Sequence, residues 1–483
     1  MAVSTDNTMI DRSQSRNLFG RRVIHASASE ITAENVVKEV EQAYITHLIN
    51  RDEINYLWEY YKGNQPVLYR TREIRDELTR HIVENRANEI VSFKVGFLVG
   101  KPITYVSSVG GDSISRNIGA LNDAMRVVGK YTKDKTLVEW MQICGLGYRY
   151  VTVNNDPMIR SPFNLYTLDP RNTFVIRAND FTQRVLAGVN YVTDSNQQIT
   201  FTVYTKDSCY TIIHGSGKAE RSDNAFGLVP IIEYENNSAR QGSFEIVLSM
   251  LDSLNDFDSA RMESVEQFVQ SLLVLYNCQV EEGTTADTIR AAGMILLKSV
   301  GDSKADIKNL SEELDQAQNQ TLKNDMYQAV LQIVGVPSQS SSGTADSSNN
   351  GAVVLKNGWQ GAETRAKDFE TMFQLPEQEM LGVVSVICSG LSDITFSPTD
   401  VEVKFTRRNY EDILSKSQTL TTMLSNDKVH PKCAYEASGL FVDTEEAYLL
   451  GMKWFEEQNR KREQQAQALK QEQEQKEPAV TDE

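Results

Sequence analysis

Residues 244–272 read FEIVLSMLDSLNDFDSARMESVEQFVQSL. Phe244, Val247, Leu248, Leu251, Leu254 and Phe257 recur at three- and four-residue spacing, and Met262, Val265, Phe268, Val269 and Leu272 extend the stripe. That spacing places them on one face of a helix. No Gly or Pro interrupts the run, so the expected helix is about 45 Å long at ~1.5 Å per residue. Asp252, Asp256, Asp258, Glu263 and Glu266 ride on it against Arg261.

The flanks change period. Upstream, Tyr148-Arg149-Tyr150-Val151-Thr152-Val153 and Thr200-Phe201-Thr202-Val203-Tyr204 alternate, with turns at Asp156-Pro157, Asp169-Pro170, Asp194-Ser195-Asn196 and Gly215-Ser216-Gly217. Residues 147–236 are therefore an antiparallel β-rich section. Before it, 33–89 is helical, broken at Lys62-Gly63-Asn64-Gln65-Pro66, with a second helix expected through Ile82, Arg86, Ile90, Phe93 and Phe97. Residues 1–30 are polar with scattered Arg and read as a loose arm. Downstream come a strand (273–280), a helix (285–292), a strand (294–298) and a second long helix (311–334) that stops at Gly335-Val336-Pro337. Residues 338–351 read SQSSSGTADSSNNG, a flexible loop whose one charge is Asp346. Another long helix begins at Ala352, with Pro376 as a kink or break, and a strand spans 400–406. The rest is helical from Tyr410 and ends in a Gln/Glu/Lys tail from Glu456 that reads as solvated helix or disorder. No fixed-period repeat appears.

The 483 residues are 40% hydrophobic and 24% charged, enough to bury sizeable cores in two to four domains. Lys+Arg total 49 against 66 Asp+Glu, a net charge of −17. That balance excludes a conventional nucleic-acid binder, whose affinity comes from cations that displace phosphate counterions. It equally excludes adsorption to an anionic membrane surface. The longest apolar stretch, Met380 to Leu391, is too short to span a bilayer. With no signal-peptide pattern, the expectation is a soluble protein made inside a cell. Cys144, Cys209, Cys278, Cys388 and Cys433 lie far apart and fit reduced, mostly buried thiols.

Catalytic motifs are missing. Gly96-Phe97-Leu98-Val99-Gly100-Lys101-Pro102 has three residues between its glycines where a phosphate loop needs four, and Pro102 where Ser or Thr should follow the Lys. Gly215-Ser216-Gly217-Lys218 fails too. His25, His47, His81, His214 and His430 form no HExxH and flank no nucleophile, so they read as surface or core residues. Glu312, Glu313 and Asp315, like the acids of 244–272, lack EF-hand order and a Glu-x-x-His partner, and read as a solvated polar face. No enzyme activity, cofactor or metal is expected.

This order of elements, with several local strings, resembles the portal (head–tail connector) proteins of tailed bacteriophages, most closely the type found in long-tailed phages of Gram-positive bacteria. The strings are Tyr60-Tyr61-Lys62-Gly63, then Asn85-Arg86-Ala87 through Ile90-Val91 to Phe97-Leu98-Val99-Gly100-Lys101-Pro102-Ile103. Asp169-Pro170, Phe174-Val175-Ile176, Gly227-Leu228-Val229-Pro230-Ile231-Ile232-Glu233-Tyr234 and Asn236-Asn237 follow. Last come Gly242-Ser243-Phe244-Glu245, Leu251-Asp252-Ser253-Leu254-Asn255 and Ala352-Val353-Val354-Leu355. The likeness covers roughly residues 37 to 455.

The resemblance implies an α+β, mainly helical portal fold assembled as a ring of about twelve subunits. Its layout would be a flexible arm (1–36), a wing helical then β-rich (37–243), stem helix 1 (244–272), an α/β clip (273–310) and stem helix 2 (311–336). A tunnel loop (337–352), a wing-closing helix and strand (353–406) and a crown with charged tail (407–483) complete it. It implies a virion protein at one capsid vertex, assembled in the host cytoplasm, through which double-stranded DNA is packaged and ejected. The implied partners are the terminase large subunit, scaffolding and major capsid proteins, and head-completion and tail adaptor proteins, with no membrane. The DNA-channel loop residues would be Ser340, Ser341, Ser342, Thr344, Asp346, Asn349 and Asn350. Asp252, Asp256, Asp258, Glu263 and Glu266 would line the channel. Glu281, Glu282, Arg290 and Lys298 would meet partners at the clip. An acidic channel wall and a cation-free loop would keep the polyanion from being trapped. The competing readings are an oligomeric structural adaptor without a DNA channel, for which the Ser/Asn loop has no use, and a packaging enzyme, which lacks its Walker motif.

Overall fold

The computed structural model describes residues 15–71, 79–109, 112–156, 158–269, 272–276, 278–279, 298–299, 306–310, 316–337, 358–407, 413–426, 428–441 and 444–474. The helices are α1 (Val36–Tyr61), α2 (Arg86–Leu98), α3 (Asp112–Val127), α4 (Lys130–Cys144), α5 (Leu248–Val269), α6 (Gln316–Val334), α7 (Trp359–Leu391), α8 (Ile413–Leu424), α9 (Pro431–Ser438) and α10 (Thr444–Glu474). The strands are β1 (Thr104–Ser107), β2 (Leu146–Val153), β3 (Phe163–Leu168), β4 (Thr173–Arg177), β5 (Val185–Thr193), β6 (Ile199–Thr205), β7 (Ser208–Ile213), β8 (Ala219–Asp223), β9 (Ile231–Glu235), β10 (Leu272–Tyr276), β11 (Cys278–Gln279), β12 (Lys298–Ser299), β13 (Asp306–Leu310) and β14 (Val401–Lys404). The chain is α+β and divides into two compact units.

The first unit takes the chain up to Leu18, Trp58–Glu89 and Ile246–Val334. In it α5 packs against α6. β10 pairs antiparallel with β13, and β11 with β12. The expected long helix from 244 is shorter than its stripe. Glu245–Val247 form a 3-10 turn before α5, and Leu272 already belongs to β10.

The second unit takes Phe19–Leu57, Ile90–Glu245 and Gly335–Glu483. The alternating section forms a three-stranded sheet, β3-β2-β9, and a five-stranded meander, β4-β5-β6-β7-β8, both antiparallel. β14 pairs with β1. Val36, Val40, Ala43 and Tyr44 of α1 pack on the inward residues Phe174, Ile176, Val189, Phe201, Val203 and Ile212 of the meander. A second core joins α2, α3, α4 and α7 to the smaller sheets. Gly145 ends α4 with φ +84°, and a Cβ there would sit 2.2 Å from the Arg240 carbonyl oxygen.

Two expectations need correction. Residues 19–26 are not loose. Arg21 is buried on Glu245 (2.6 Å) and Glu53 (3.0 Å), and Ile24 and Ala26 enter the α1–meander core. The Arg-rich polar composition hid this, because its decisive charge is paired in the interior. Nor does Pro376 break its helix. α7 runs 33 residues through it.

The residue after that proline, Glu377, anchors a network of buried charges. Its carboxylate accepts hydrogen bonds from Tyr105 (2.6 Å) and Tyr234 (2.7 Å) and pairs with Lys130 at 2.8 Å and Arg149 at 3.6 Å. Asp134 closes the network on Lys130 (2.7 Å) and Arg149 (2.5 Å). Burial pushes the Glu377 carboxyl up, but Lys130 and Arg149 push it down further, to about 2. Burial likewise opposes, and Arg240 and Arg177 overcome, the shift of Glu233, which also falls to about 2.

Carboxylates held below their ordinary 4.5 stabilise the fold above that pH, and the contribution is lost as pH falls from about 4.5 toward 2. Denaturant unfolding should therefore show stability dropping across that window. Glu377→Gln should cost about 3–5 kcal/mol at pH 7, the penalty of removing one partner from a buried ion network. Its pH dependence should also be shallower than that of the parent.

Candidate functional site

α5 was the helix expected to carry an acidic face, and its environment is set by the segment that precedes α2. Residues 79–85 were expected to be helical but form neither helix nor strand. Their amides therefore need acceptors from elsewhere. The amide of Arg80 donates to Glu263 (2.9 Å), that of Ile82 to Ser259 (3.1 Å) and that of Glu84 to Asn255 (2.8 Å). Asn255, Ser259 and Glu263 stand four residues apart, a rise of about 6.0 Å per step on a helix. Alternate amides of an extended chain recur every ~6.6 Å. The two repeats match closely enough for one helix face to serve three successive acceptors to an antiparallel segment.

This ladder reverses the expected stripe. Leu248, Leu251 and Leu254 are buried, but beyond them the buried positions are Asn255, Ser259 and Glu263, while Met262 and Val265 are exposed. The polar residues go inside because orphaned amides cost more than the apolar contact they displace.

The acidic candidates therefore do not share one open face. Asp252 is buried and accepts from Tyr60 (2.8 Å) and from Ser15, and burial raises its carboxyl pKa against those hydrogen bonds. Glu263 is buried on the ladder. Asp258 pairs with Lys323 of α6 at 2.9 Å, and Lys323 also reaches Glu84 at 3.4 Å. Asp256 keeps an exposed side chain, 3.6 Å from Arg70. Glu266 lies in the last turn of α5, and its side chain is outside the described residues.

α6 is tied to the same segment. Arg86 lies over the Tyr327 ring at 4.0 Å and pairs with Glu84 and Glu89, both at 2.6 Å, while the Tyr327 hydroxyl donates to Glu89 (2.7 Å). Arg261 donates to Gln320 (2.9 Å). The loop candidates Ser340, Ser341, Ser342, Thr344, Asp346, Asn349 and Asn350, and the clip candidates Glu281, Glu282 and Arg290, lie outside the described residues. Lys298 falls on β12, opposite Gln279 of β11.

The remaining reactive groups have structural surroundings. His47 is buried against the Phe174 ring (4.6 Å) and the Arg171 carbonyl (3.0 Å), and burial lowers its pKa to about 4. His81 meets the Val67 carbonyl (2.7 Å), and His430 caps α9. Cys144 and Cys388 are buried, Cys209 is half-buried and Cys433 is exposed, all as free thiols. The "mostly buried" expectation thus holds for two of these four. The Gly96–Lys101 run ends α2, with no strand–helix turn. Among the described residues, no group of three His, Cys, Asp or Glu could hold a metal, and no helix is long and apolar enough to cross a membrane.

Two features were not read from the sequence. Asn255 and Ser259 carried a faint signal, small polar residues four apart beside an acid at 263. The Glu377 network carried one only at Lys130 and Asp134, an i,i+4 pair.

A family model described as phage portal protein, SPP1 Gp6-like, matches residues 43–479. No curated protein matches the chain. Among solved structures, a chain of the neck of an empty GTA particle computed with C6 symmetry is 11% identical. That likeness covers 74% of this chain and 90% of that one, at a TM-score of 0.43. A chain of the virion of a native gene transfer agent particle is 9% identical, over 81% of this chain and 94% of that one, at a TM-score of 0.38.

Ser259→Ala leaves the Ile82 amide without its acceptor. Hydrogen exchange should show the Ile82 amide losing protection, with global stability lowered by about 1–3 kcal/mol. Unchanged exchange at Ile82 would show that the ladder does not hold the segment.

Proposed function

The chain belongs to the SPP1 Gp6-like phage portal protein family, and on that premise we propose that about twelve copies close into a ring around an axial channel for double-stranded DNA. The ring sits at one vertex of the capsid and is built in the host cytoplasm. It admits the genome under the drive of a separate packaging motor, the terminase large subunit, and releases it through the same channel. Scaffolding and major capsid proteins meet it during head assembly. Head-completion and tail adaptor proteins dock on it afterwards. The protein itself carries out no catalysis in this reading and needs no cofactor.

The observation that carries the proposal is the family match over residues 43–479. The sequence supports it in two further ways. The SQSSSGTADSSNNG loop has no cation to trap phosphate, and the net charge of −17 disfavours tight DNA binding. Within this reading α5 and α6 are stem helices, 337–352 the tunnel loop, 273–310 the clip and 407–483 the crown. Of the acids proposed for the channel wall whose side chains are described, Asp256 is the exposed one, 3.6 Å from Arg70, while Asp252 and Glu263 are buried and Asp258 pairs with Lys323.

Native mass and low-resolution images of the purified protein test the architecture. Rings of about twelve with a central hole are expected, and a monomer or dimer over a wide concentration range would reject the reading. Replacing Ser340 to Asn349 by a minimal turn tests the loop. Ring formation should persist while DNA packaging into heads falls, and unchanged packaging would remove the loop from the mechanism.

A further inference from the structure

In the second unit, α2 and α7 border a cavity of about 480 Å³. That size lies within the range of built ligand sites. Its floor is apolar. Phe93 and Phe97 stack at 5.7 Å with planes 11° apart, and Phe369 and Met372 face them from α7. The carboxamides of Gln142 and Asn236 at its edge satisfy each other at 2.8 Å. Arg407, which lies 5.8 Å over the Phe97 ring, is neutralised by Glu363 and Glu370.

Among the described residues Lys94 has no such neutraliser. It lines the cavity half-buried, and among the described residues no hydrogen bond or ion pair engages its ammonium. Asp368 lines the same cavity but does not pair with it. The charge nearest to it in effect is another cation, Arg365. Burial first, and Arg365 second, lower the Lys94 pKa to about 8, so the site as it stands disfavours its own positive charge. A half-buried lysine with no counter-charge among the described residues, in a cavity lined by phenyl rings, suits an anion on an apolar body.

We propose that the cavity receives a carboxylate side chain, flanked by apolar residues, from a neighbouring copy of this chain, with Lys94 as its counter-charge. The inference rests on the ring reading above. Three considerations select that occupant. A closed ring of one kind of subunit joins one face of each copy to a different face of the next. With 66 acidic residues to 49 basic ones, an acidic face is what a second copy has to offer a cationic cavity. And a phenyl- and thioether-floored cavity of about 480 Å³ has room for a side chain, not for a DNA duplex.

The test compares the full-length protein with Lys94→Glu, Lys94→Gln and Lys94→Arg, reading the fraction of ring against concentration by sedimentation. Thermal melting of the unassembled chain checks that each variant is folded. Lys94→Glu should raise the concentration of half-assembly about tenfold or more, Lys94→Gln should raise it less, and Lys94→Arg should stay within about threefold of the parent, as for a charge pair at an interface. If Lys94→Glu fails to fold, Lys94→Gln decides. A parent protein that never assembles defeats the ring reading and this inference with it. A parent that assembles, alongside folded Lys94→Glu or Lys94→Gln variants with an unchanged midpoint, overturns this inference alone. That second result is also the one expected if the cavity holds a free small acid.

Discussion

The larger unit depends on the carboxylate of Glu377. Two cations, Lys130 and Arg149, and two anions, Asp134 and Glu377, are removed from water together, with the Tyr105 and Tyr234 hydroxyls filling the remaining acceptor sites of Glu377. Each buried ion costs several kcal/mol of hydration, which is offset only when every partner is in place. The partners come from β1, α4, β2, β9 and α7, elements that span residues 105 to 377. The network therefore works as a register device. Arg149 lies opposite Ile232 on β9 and Thr167 on β3. A slip of one residue would turn it to the other face of the sheet and leave two carboxylates buried without it. Hydrophobic packing alone would tolerate such errors more readily, since Val, Leu and Ile positions substitute for one another at modest cost.

Seen from that network, the continuity of α7 through Pro376 has a physical basis. A proline inside a helix removes one backbone hydrogen bond and disfavours the preceding turn by about 3 kcal/mol. Glu377 follows it directly, bound by four side chains from four other elements, and Phe369 and Phe373 before it and Met380, Leu381, Val383 and Val384 after it are all in the main core. Tertiary contacts on both sides of the proline outweigh its local preference. Local rules predict a kink or a break there, and the long-range contacts of Glu377 and its core neighbours keep the helix unbroken.

The same contrast runs through what was legible in the sequence. Period-two alternation located the β-rich section because its inward residues, such as Phe201 and Val203, bury simple apolar surface. The two long helices were legible for the same reason, whereas β13 lies where no strand was expected and the helix expected at 285–292 lies outside the described residues. What could not be read were positions where a polar group is inside. Arg21 in the supposed arm, Arg149 in a strand, and Asn255, Ser259 and Glu263 on α5 all look like surface residues, and each is buried because a specific partner far away in sequence needs it. Composition reports average solvation, and these residues are the exceptions that hydrogen bonding makes affordable. The cavity beside Lys94 escaped for a related reason. Its signal is that no described residue supplies Lys94 with a counter-charge, which no local spacing encodes.

That pattern also changes how a DNA conduit would avoid holding its cargo. An acidic wall along α5 would need its carboxylates in the open, and Asp252 and Glu263 are inside. Yet α5 and α6 carry few cations, and those they carry are engaged. Lys323 pairs with Asp258 and Glu84, and Arg261 is bonded to Gln320. Phosphate retention scales with the number of cations that can exchange for counterions on the nucleic acid. Helices whose two cations already have partners within the chain contribute little to that number. For the proposed channel, weak adhesion follows from engaged cations rather than from a repelling acidic wall.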